Sequence, residues 1–430
     1  MKIAFYTLGC KVNTYETEAL ERLFIEHGFE IMHAKDFSDI YVINTCTVTN
    51  TADQKSRKAI RQAVKRNPDA VVAVIGCYSQ VASEDVAAIE GVDIIMGTSE
   101  RERLLERVQE FLRERKRILD VKDMSRYKKF DALNVTSFSE NTRAFIKIQD
   151  GCNQYCSFCI IPFARGPIRS RSKDEIIEEA RTLVSNGYKE IVLTGIHTGG
   201  YGTDLEDVTF YDLLHDLSHL EGLKRLRISS IEINQINDQI LQLIKENTVF
   251  ARHLHIPLQS GSDRILRLMK RRYTLEEYEE KIAKIRQLMP NIAITTDIIV
   301  GYPGENEDDF NDIKTSLKRI GFSEMHIFPY SKRSGTKAAL VNEQVHGTIK
   351  SMRVNELLKL NEHLANAYID SLSTIPQDVL FERCDGETCR GHSSHYITYK
   401  VFTSNDLVNT IQPIKHVKTN YPESIAKLDV

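Results

Sequence analysis

The stretch "DGCNQYCSFCIIP", residues 150–162, places Cys152, Cys156 and Cys159 in a loop directly after the apolar segment "RAFIKIQ" (143–149). A closed zinc or iron–sulfur site takes four protein ligands, and this loop supplies three. The segment before it is the first of six strand-like runs. "EIVLTG" (190–195), "RLRISS" (225–230), "HLHIPL" (253–258), "AITTDIIVG" (293–301) and "EMHIFPY" (324–330) follow, with a helical stretch in each gap. Six repeats fall short of the eight of a closed barrel, so the spacing predicts an open, partial (βα)6 barrel over residues 143–345.

Before this region, "KIAFYTL" (2–8), "DIYVIN" (39–44), "AVVAVIG" (70–76) and "VDIIMG" (92–97) alternate with amphipathic stretches. That pattern predicts an open parallel α/β sheet domain over 1–118. Residues 119–142 are polar and aperiodic and read as a linker. After the barrel, one long helix over 346–373 leads to "DVLFER" (378–383), "HYITYKVFT" (395–403) and "IQPIKHVKT" (411–419). These alternating runs predict a small antiparallel β-barrel over 374–430. The fold class is therefore α/β, with three packed units.

A hydrophobic content of 41% and a charged content of 27% belong to a globular chain. The net charge of −3 excludes a uniformly basic nucleic-acid binder, so any basic surface must be local. No signal-peptide pattern opens the chain and no apolar run reaches a membrane span, so a cytoplasmic protein without a membrane partner is expected. Eight cysteines in 430 residues are too sparse for a disulfide scaffold and suit metal ligands or free thiols.

A zinc reading of the 150–162 loop wants paired CxxC motifs or a nearby histidine, and the nearest, His197, lies far along the chain. A redox reading of "CSFC" leaves Cys152 unexplained. Three thiolates on a [4Fe–4S] cube leave one iron open for a further ligand. This loop, with Phe158 before its last cysteine, resembles that of the radical S-adenosylmethionine (SAM) superfamily. The resemblance implies that the open iron takes the amino and carboxylate groups of SAM, whose one-electron cleavage gives a 5′-deoxyadenosyl radical. It also implies cofactor contacts at the C-terminal ends of later strands: Gly199 and Gly200 with Gly202 in "LTGIHTGGYG", Glu232, Gln259 and Ser260 in "HIPLQSGSD", and Gly301 and Pro303 with Gly304 in "DIIVGYPGE". Taken singly, each glycine also suits a plain turn. His197 reads as a loop residue rather than a ligand.

Cys10, Cys46 and Cys77 each fall at the C-terminal end of a predicted strand, in "FYTLGC", "VINTC" and "AVIGC". Their separations of 36 and 31 residues each match one βαβ unit. Successive parallel strands end on one edge, where open α/β sheets bind ligands. The three thiols should converge there, again one short of four.

Together, "LGCKVNTYE", "INTCTVT", "GCYSQ" and "IPFARGPIRSR", with the terminal barrel, resemble the radical SAM methylthiotransferases over essentially the whole chain. "GCKVN" is similar to the branch acting on threonylcarbamoyl-adenosine in tRNA; Ile233 in "SSIEIN" departs from the proline of many relatives. The resemblance implies two [4Fe–4S] clusters, the second on Cys10, Cys46 and Cys77 and holding the sulfur to be inserted. It implies SAM as both methyl donor and radical source, and methylthiolation at carbon 2 of threonylcarbamoyl-adenosine 37, beside the anticodon. An electron donor such as flavodoxin or ferredoxin and a sulfur donor would be partners, and the terminal barrel would be a TRAM-like RNA-binding unit. The same chemistry on isopentenyl-adenosine tRNA or on a ribosomal-protein aspartate is the alternative. A non-enzymatic iron–sulfur RNA-binding protein is a third reading.

Basic residues suited to RNA phosphates are Lys58, Arg61 and Lys65, which share one helix face, and Arg165, Arg169 and Arg171 after the cysteine loop. The terminal barrel is not basic, so charge alone does not carry an RNA role there. Its Cys384 and Cys389 read as incidental strand cysteines.

Overall fold

The computed structural model describes every residue except Ala132, Ser139, Glu140, Asn141 and Val430. Six strands form the N-terminal sheet: β1 (Lys2–Thr7), β2 (Glu30–Met32), β3 (Ile40–Thr45), β4 (Val71–Gly76), β5 (Ile94–Met96) and β6 (Ile118–Asp120). All pairs are parallel, in the order β2-β1-β3-β4-β5-β6. Along β4, Val71, Ala73 and Ile75 pack into one core while Val72 and Val74 pack into another. Period-two alternation with both faces apolar is what a sheet covered on both sides requires. Helix α1 (Lys11–Glu26) covers the first face through Leu20 and Phe24; α2 (Asn50–Arg66) covers the second through Ala59, Ile60 and Ala63.

The partial barrel consists of β7 (Arg143–Asp150), β9 (Glu190–Gly195), β10 (Arg225–Ile228), β11 (His253–His255), β12 (Ala293–Val300) and β13 (Glu324–Pro329). Two sheets, β10-β9-β7 and β11-β12-β13, are joined by the bridges Leu226–Phe250 and Ser230–His255, which complete the arc in chain order. The short strand β8 (Arg169–Ser170), invisible as a pattern, adds antiparallel to the end of β7.

Residues 119–142, expected to be a linker, begin inside β6. Leu133, Val135 and Phe138 are buried in the barrel core, and the Leu133 carbonyl accepts from the Tyr15 hydroxyl. The stretch is a strap packed across both units rather than a tether, apart from the part of that expectation lying on Ala132 and 139–141, outside the described residues.

Helix α3 (Gly347–Ser371) buries Arg353, Leu357, Asn361, Ala365 and Ile369, a single row at intervals of four. This narrow row covers the open edge strand β13, a standard way to blunt an edge. The Asn361 carboxamide accepts from the Met325 amide at 2.7 Å and donates to the Tyr421 hydroxyl at 3.1 Å.

The terminal unit is a closed barrel of β14 (Gln377–Asp385), β15 (Thr388–Ser393), β16 (Thr398–Phe402), β17 (Ile411–Lys418) and β18 (Glu423–Leu428), ordered β14-β15-β16-β18-β17. It departs from the expected antiparallel pattern at one pair, β16–β18, which is parallel. Cys384 and Cys389 are not incidental: they sit opposite each other on the β14–β15 hairpin and are joined as a disulfide. The expectation that every cysteine is a ligand or a free thiol is corrected there, because hairpin register brings the two together. Arg143 ion-pairs with Glu382 at 2.9 Å, and Arg225 donates to the Asp378 carbonyl at 2.9 Å, docking this barrel on the strand ends.

Because Asn361 satisfies a buried strand amide, Asn361→Ala should lower unfolding free energy by about 1–3 kcal/mol, the cost of leaving that donor unpaired. Chemical denaturation measures this, and hydrogen exchange should rise first at the Met325 amide.

Candidate active site

Strands β1, β3 and β4 are neighbours in one parallel sheet, and Cys10, Cys46 and Cys77 follow their C-terminal ends. Cys10 caps α1; Cys77 opens the short helix Cys77–Val81. Gly9 lies against the Cys46 side chain, leaving no room for a Cβ without moving it. Burial pushes the Cys46 thiol up to about 11, and the nearby Cys77 and Cys10 sulfurs add to the effect. Burial also raises Cys77, opposed by Arg165 and Arg101.

The second set sits on the loop after β7. Gly151 has φ +73°, and a Cβ there would fall 1.9 Å from the Pro167 carbonyl oxygen, so only glycine admits this turn. Ser157 anchors the loop by donating from its amide to the Met269 carbonyl at 3.1 Å. Burial lifts Cys152 to about 11 and Cys159 to about 12. Thiols held this high keep their protons at neutral pH unless a cation displaces them, and a coordinating thiol is deprotonated outright. Two all-sulfur donor sets of this kind suit iron–sulfur clusters.

A buried ionic network joins the two sets. The Arg165 guanidinium, fully buried, donates to Glu16 at 2.8 Å, Asn13 at 2.8 Å, Asp150 at 3.1 Å and the Cys77 sulfur at 3.3 Å. Lys147 bridges Glu16 at 2.7 Å and Asp150 at 2.6 Å; Arg101 also pairs with Glu16, and Arg169 lies 3.5 Å from Asp150. Four cations thus face two carboxylates beside three thiols. Burial would raise Glu16, but Arg101, Arg165 and Lys147 outweigh it and hold the carboxyl at about 2. Asp150 is likewise held well below the usual carboxylate range against its burial, chiefly by Arg165 and Lys147.

This corrects the reading of Arg165, Arg169 and Arg171 as phosphate contacts. All three are buried, and Arg171 pairs with Glu179 and Tyr15 instead. Lys58, Arg61 and Lys65 are exposed on α2.

Two cavities open beside the cysteines. One, of about 260 Å³, is walled by Phe158, Cys159, Ile160, Gln259, Ile299, Phe328 and Tyr330, and closed by Val48 and Thr49 of the N-terminal unit. The other, about 550 Å³, lies along the barrel lumen between Cys10, Gly195, Ser229, His255, Thr295 and Tyr396. Asp297 lines both, so the two cavities share that side chain as a wall. Arg333 pins the wall between units by pairing with Asp53 at 2.7 Å.

Of the expected cofactor contacts, Gln259 lines the first cavity. Glu232 ion-pairs with Arg271, whose guanidinium donates to the Cys156 sulfur at 3.4 Å. Gly199 and Gly200 make room for Gln235 and His197 rather than for open space. Ser260 is buried in its turn and Gly301 packs against Lys350; neither they nor Pro303 line the cavity. His197 is held by Gln235 at 2.7 Å, as a loop residue. Missed from the sequence were Glu16, Asp150, Arg271 and a lumen cluster, His255, Asp297 and His326, whose ligand atoms lie within 4.8 Å of one another. The clue was period-two spacing: His253 and His255, and Thr295 and Asp297, point to one face of adjacent strands.

Residues 2–97 match the Uncharacterized protein family UPF0004, and residues 146–317 match the Radical SAM superfamily. The chain is 45% identical, over 98% of its length and 94% of the relative's, to threonylcarbamoyladenosine tRNA methylthiotransferase MtaB of Bacillus subtilis. The chain belongs to the radical SAM methylthiotransferase family. The MtaB of Aquifex aeolicus is 42% identical to it over 84% of this chain and 88% of that one. The tRNA-2-methylthio-N(6)-dimethylallyladenosine synthase of Acetivibrio thermocellus is 34% identical over 87% and 79%. Among solved structures, the radical SAM methyltransferase TsrM of Kitasatospora setae matches with TM-score 0.59 at 13% identity, covering 79% of this chain and 77% of that one. That likeness supports the fold alone. Methylthiotransferases of this family use SAM and [4Fe–4S] clusters, and the two cysteine triads of this enzyme fit two clusters.

The ionic network makes the interface acid-sensitive. Glu16 is held at about 2 in the fold, against about 4.3 in an unfolded chain. Its stabilisation is therefore present above about pH 4.3 and lost as pH falls towards 2, with Asp150 acting in the same direction. Denaturation midpoints of the cluster-free protein should fall through that window, and Glu16→Gln should flatten the dependence.

Proposed function

We infer that this enzyme is a tRNA methylthiotransferase that converts threonylcarbamoyl-adenosine at position 37 to its 2-methylthio derivative. The observation that carries the reading is that a cavity beside Cys159 and a cavity beside Cys10 lie on the same residue, Asp297. A radical source and a sulfur site on neighbouring cavities are then placed to address one substrate. When bound, SAM and its cluster supply a carbon-centred radical able to take hydrogen from an unactivated carbon.

The chain's own residues supply the rest. Cys152, Cys156 and Cys159 would hold one cluster and Cys10, Cys46 and Cys77 the other. Arg271 and Arg165 place a guanidinium beside one sulfur of each set, Cys156 and Cys77. Phe158, Ile160, Ile299 and Phe328 give the first cavity an apolar wall, and Gln259 and Asp297 offer polar atoms to orient SAM there. The exposed Lys58, Arg61 and Lys65 of α2, with the terminal barrel, offer an RNA-binding surface. A low-potential electron donor such as flavodoxin or ferredoxin and a sulfur donor complete the cycle. We place the enzyme in the cytoplasm, with its tRNA substrate; no helix among the described residues is long and apolar enough to cross a membrane.

Nucleoside mass spectrometry of tRNA from strains with and without the gene tests the function: the 2-methylthio derivative should vanish and threonylcarbamoyl-adenosine accumulate. In the purified enzyme, Cys10→Ala, Cys46→Ala or Cys77→Ala should abolish methylthiolation while 5′-deoxyadenosine still forms. Replacing Lys58, Arg61 and Lys65 together by Ala should weaken tRNA binding and reduce the salt slope by about 2–3, read from titrations at several salt concentrations.

A further inference from the structure

The lumen cavity carries an unanswered charge. Lys11, the residue after Cys10 and the first of α1, lines it together with Thr194, Arg227, Ser229 and Tyr396. The side chain is half-buried and, among the described residues, makes no hydrogen bond or ion pair. The neighbouring guanidiniums are matched: Arg227 and Arg225 share Glu190 at 2.7 and 3.1 Å, and Arg143 holds Glu382 at 2.9 Å. Three arginines therefore occupy both of these carboxylates. The Lys11 ammonium lies within electrostatic reach of Arg143, Arg227, Glu190 and the Tyr396 hydroxyl without a direct partner of its own among the described residues. The further carboxylate of the cavity, Asp297, faces His255 at 3.3 Å. A cation desolvated without a partner is costly, so the Lys11 side of the cavity favours an anionic ligand.

The substrate inferred above has one. Its threonylcarbamoyl group ends in a carboxylate beside a hydroxyl, whereas a dimethylallyl group is an uncharged hydrocarbon that would leave these polar atoms unpaired. We propose that Lys11 binds the carboxylate of the threonylcarbamoyl group and so selects this modified adenosine over the dimethylallyl one. The assignment rests on the substrate reading and deepens it. Adjacent Cα atoms are about 3.8 Å apart, so capture of the carboxylate by Lys11 brings the base close to Cys10. The hydroxyls of Thr194 and Ser229 provide hydrogen-bonding partners for the rest of the group.

The test uses reconstituted full-length enzyme and anticodon stem–loops carrying either threonylcarbamoyl-adenosine or its methyl ester, which neutralises the carboxylate. The wild type should prefer the acid by about 30-fold in kcat/KM, mostly through KM, as expected for a charge-assisted hydrogen bond. Lys11→Met should lose that preference, and Lys11→Arg should keep most of it. Because the acid-to-ester ratio is taken within each variant, partial loss of a cluster cancels. A wild type indifferent to the ester, or a Lys11→Met enzyme with the wild-type ratio, overturns the assignment while leaving the substrate reading intact. A wild type inert on the acid stem–loop but active on the dimethylallyl one overturns the substrate reading itself, and the assignment with it.

Discussion

The architecture depends on a single buried guanidinium. Arg165 stands six residues after the last cysteine of the radical loop, yet its partners Asn13, Glu16 and Cys77 belong to the N-terminal sheet. A buried arginine must satisfy its donors, and removing one partner of such a pair is far more damaging than the pair is stabilising. That asymmetry makes the network a locator: only one docking of the two units lets Glu16 and Asp150 meet Arg165, Lys147, Arg101 and Arg169 together. Once they meet, the two cysteine sets stand at facing edges.

An open barrel is what makes that facing possible. Eight strands would close the lumen; six leave a side on which the cysteine edge of a second sheet can sit. The lumen is then walled by all three units, since Cys10, His255 and Tyr396 line one cavity. Tyr396 stacks on His253 at 4.8 Å and lies under Arg227, so the terminal barrel is part of the wall. Its docking depends on the same physics as the central network, with Arg143, Arg225 and Arg227 buried against Glu382, Glu190 and backbone carbonyls.

Much of this was legible beforehand. The parallel strands of both α/β units announced themselves as apolar runs, and the placement of Cys10, Cys46 and Cys77 after three of them followed from strand direction alone. Three-residue strands such as β2 and β6 carry too little pattern to see. The strap over 119–142 failed as a linker because Leu133, Val135 and Phe138 are spaced without period, and their burial comes from two surfaces meeting above them. Arg165, Arg169 and Arg171 were misread for a related reason: a basic cluster looks the same in sequence whether it faces phosphate or a buried carboxylate.

Residue type and local spacing decided the chemistry in advance: six thiols in two sets of three, with glycine where the loop turns back on its own backbone. Those are properties of a residue and its near neighbours, and the linear chain displays them. Which charges are buried, which histidines face the lumen and which cation lacks a partner are properties of distant segments brought together. Glu16 and Arg165 are 149 residues apart, and Lys11 and Tyr396 farther still. Pairing and desolvation act through space, so only the folded chain could show that one set of arginines joins the units and that Lys11 faces the lumen without a direct partner among the described residues.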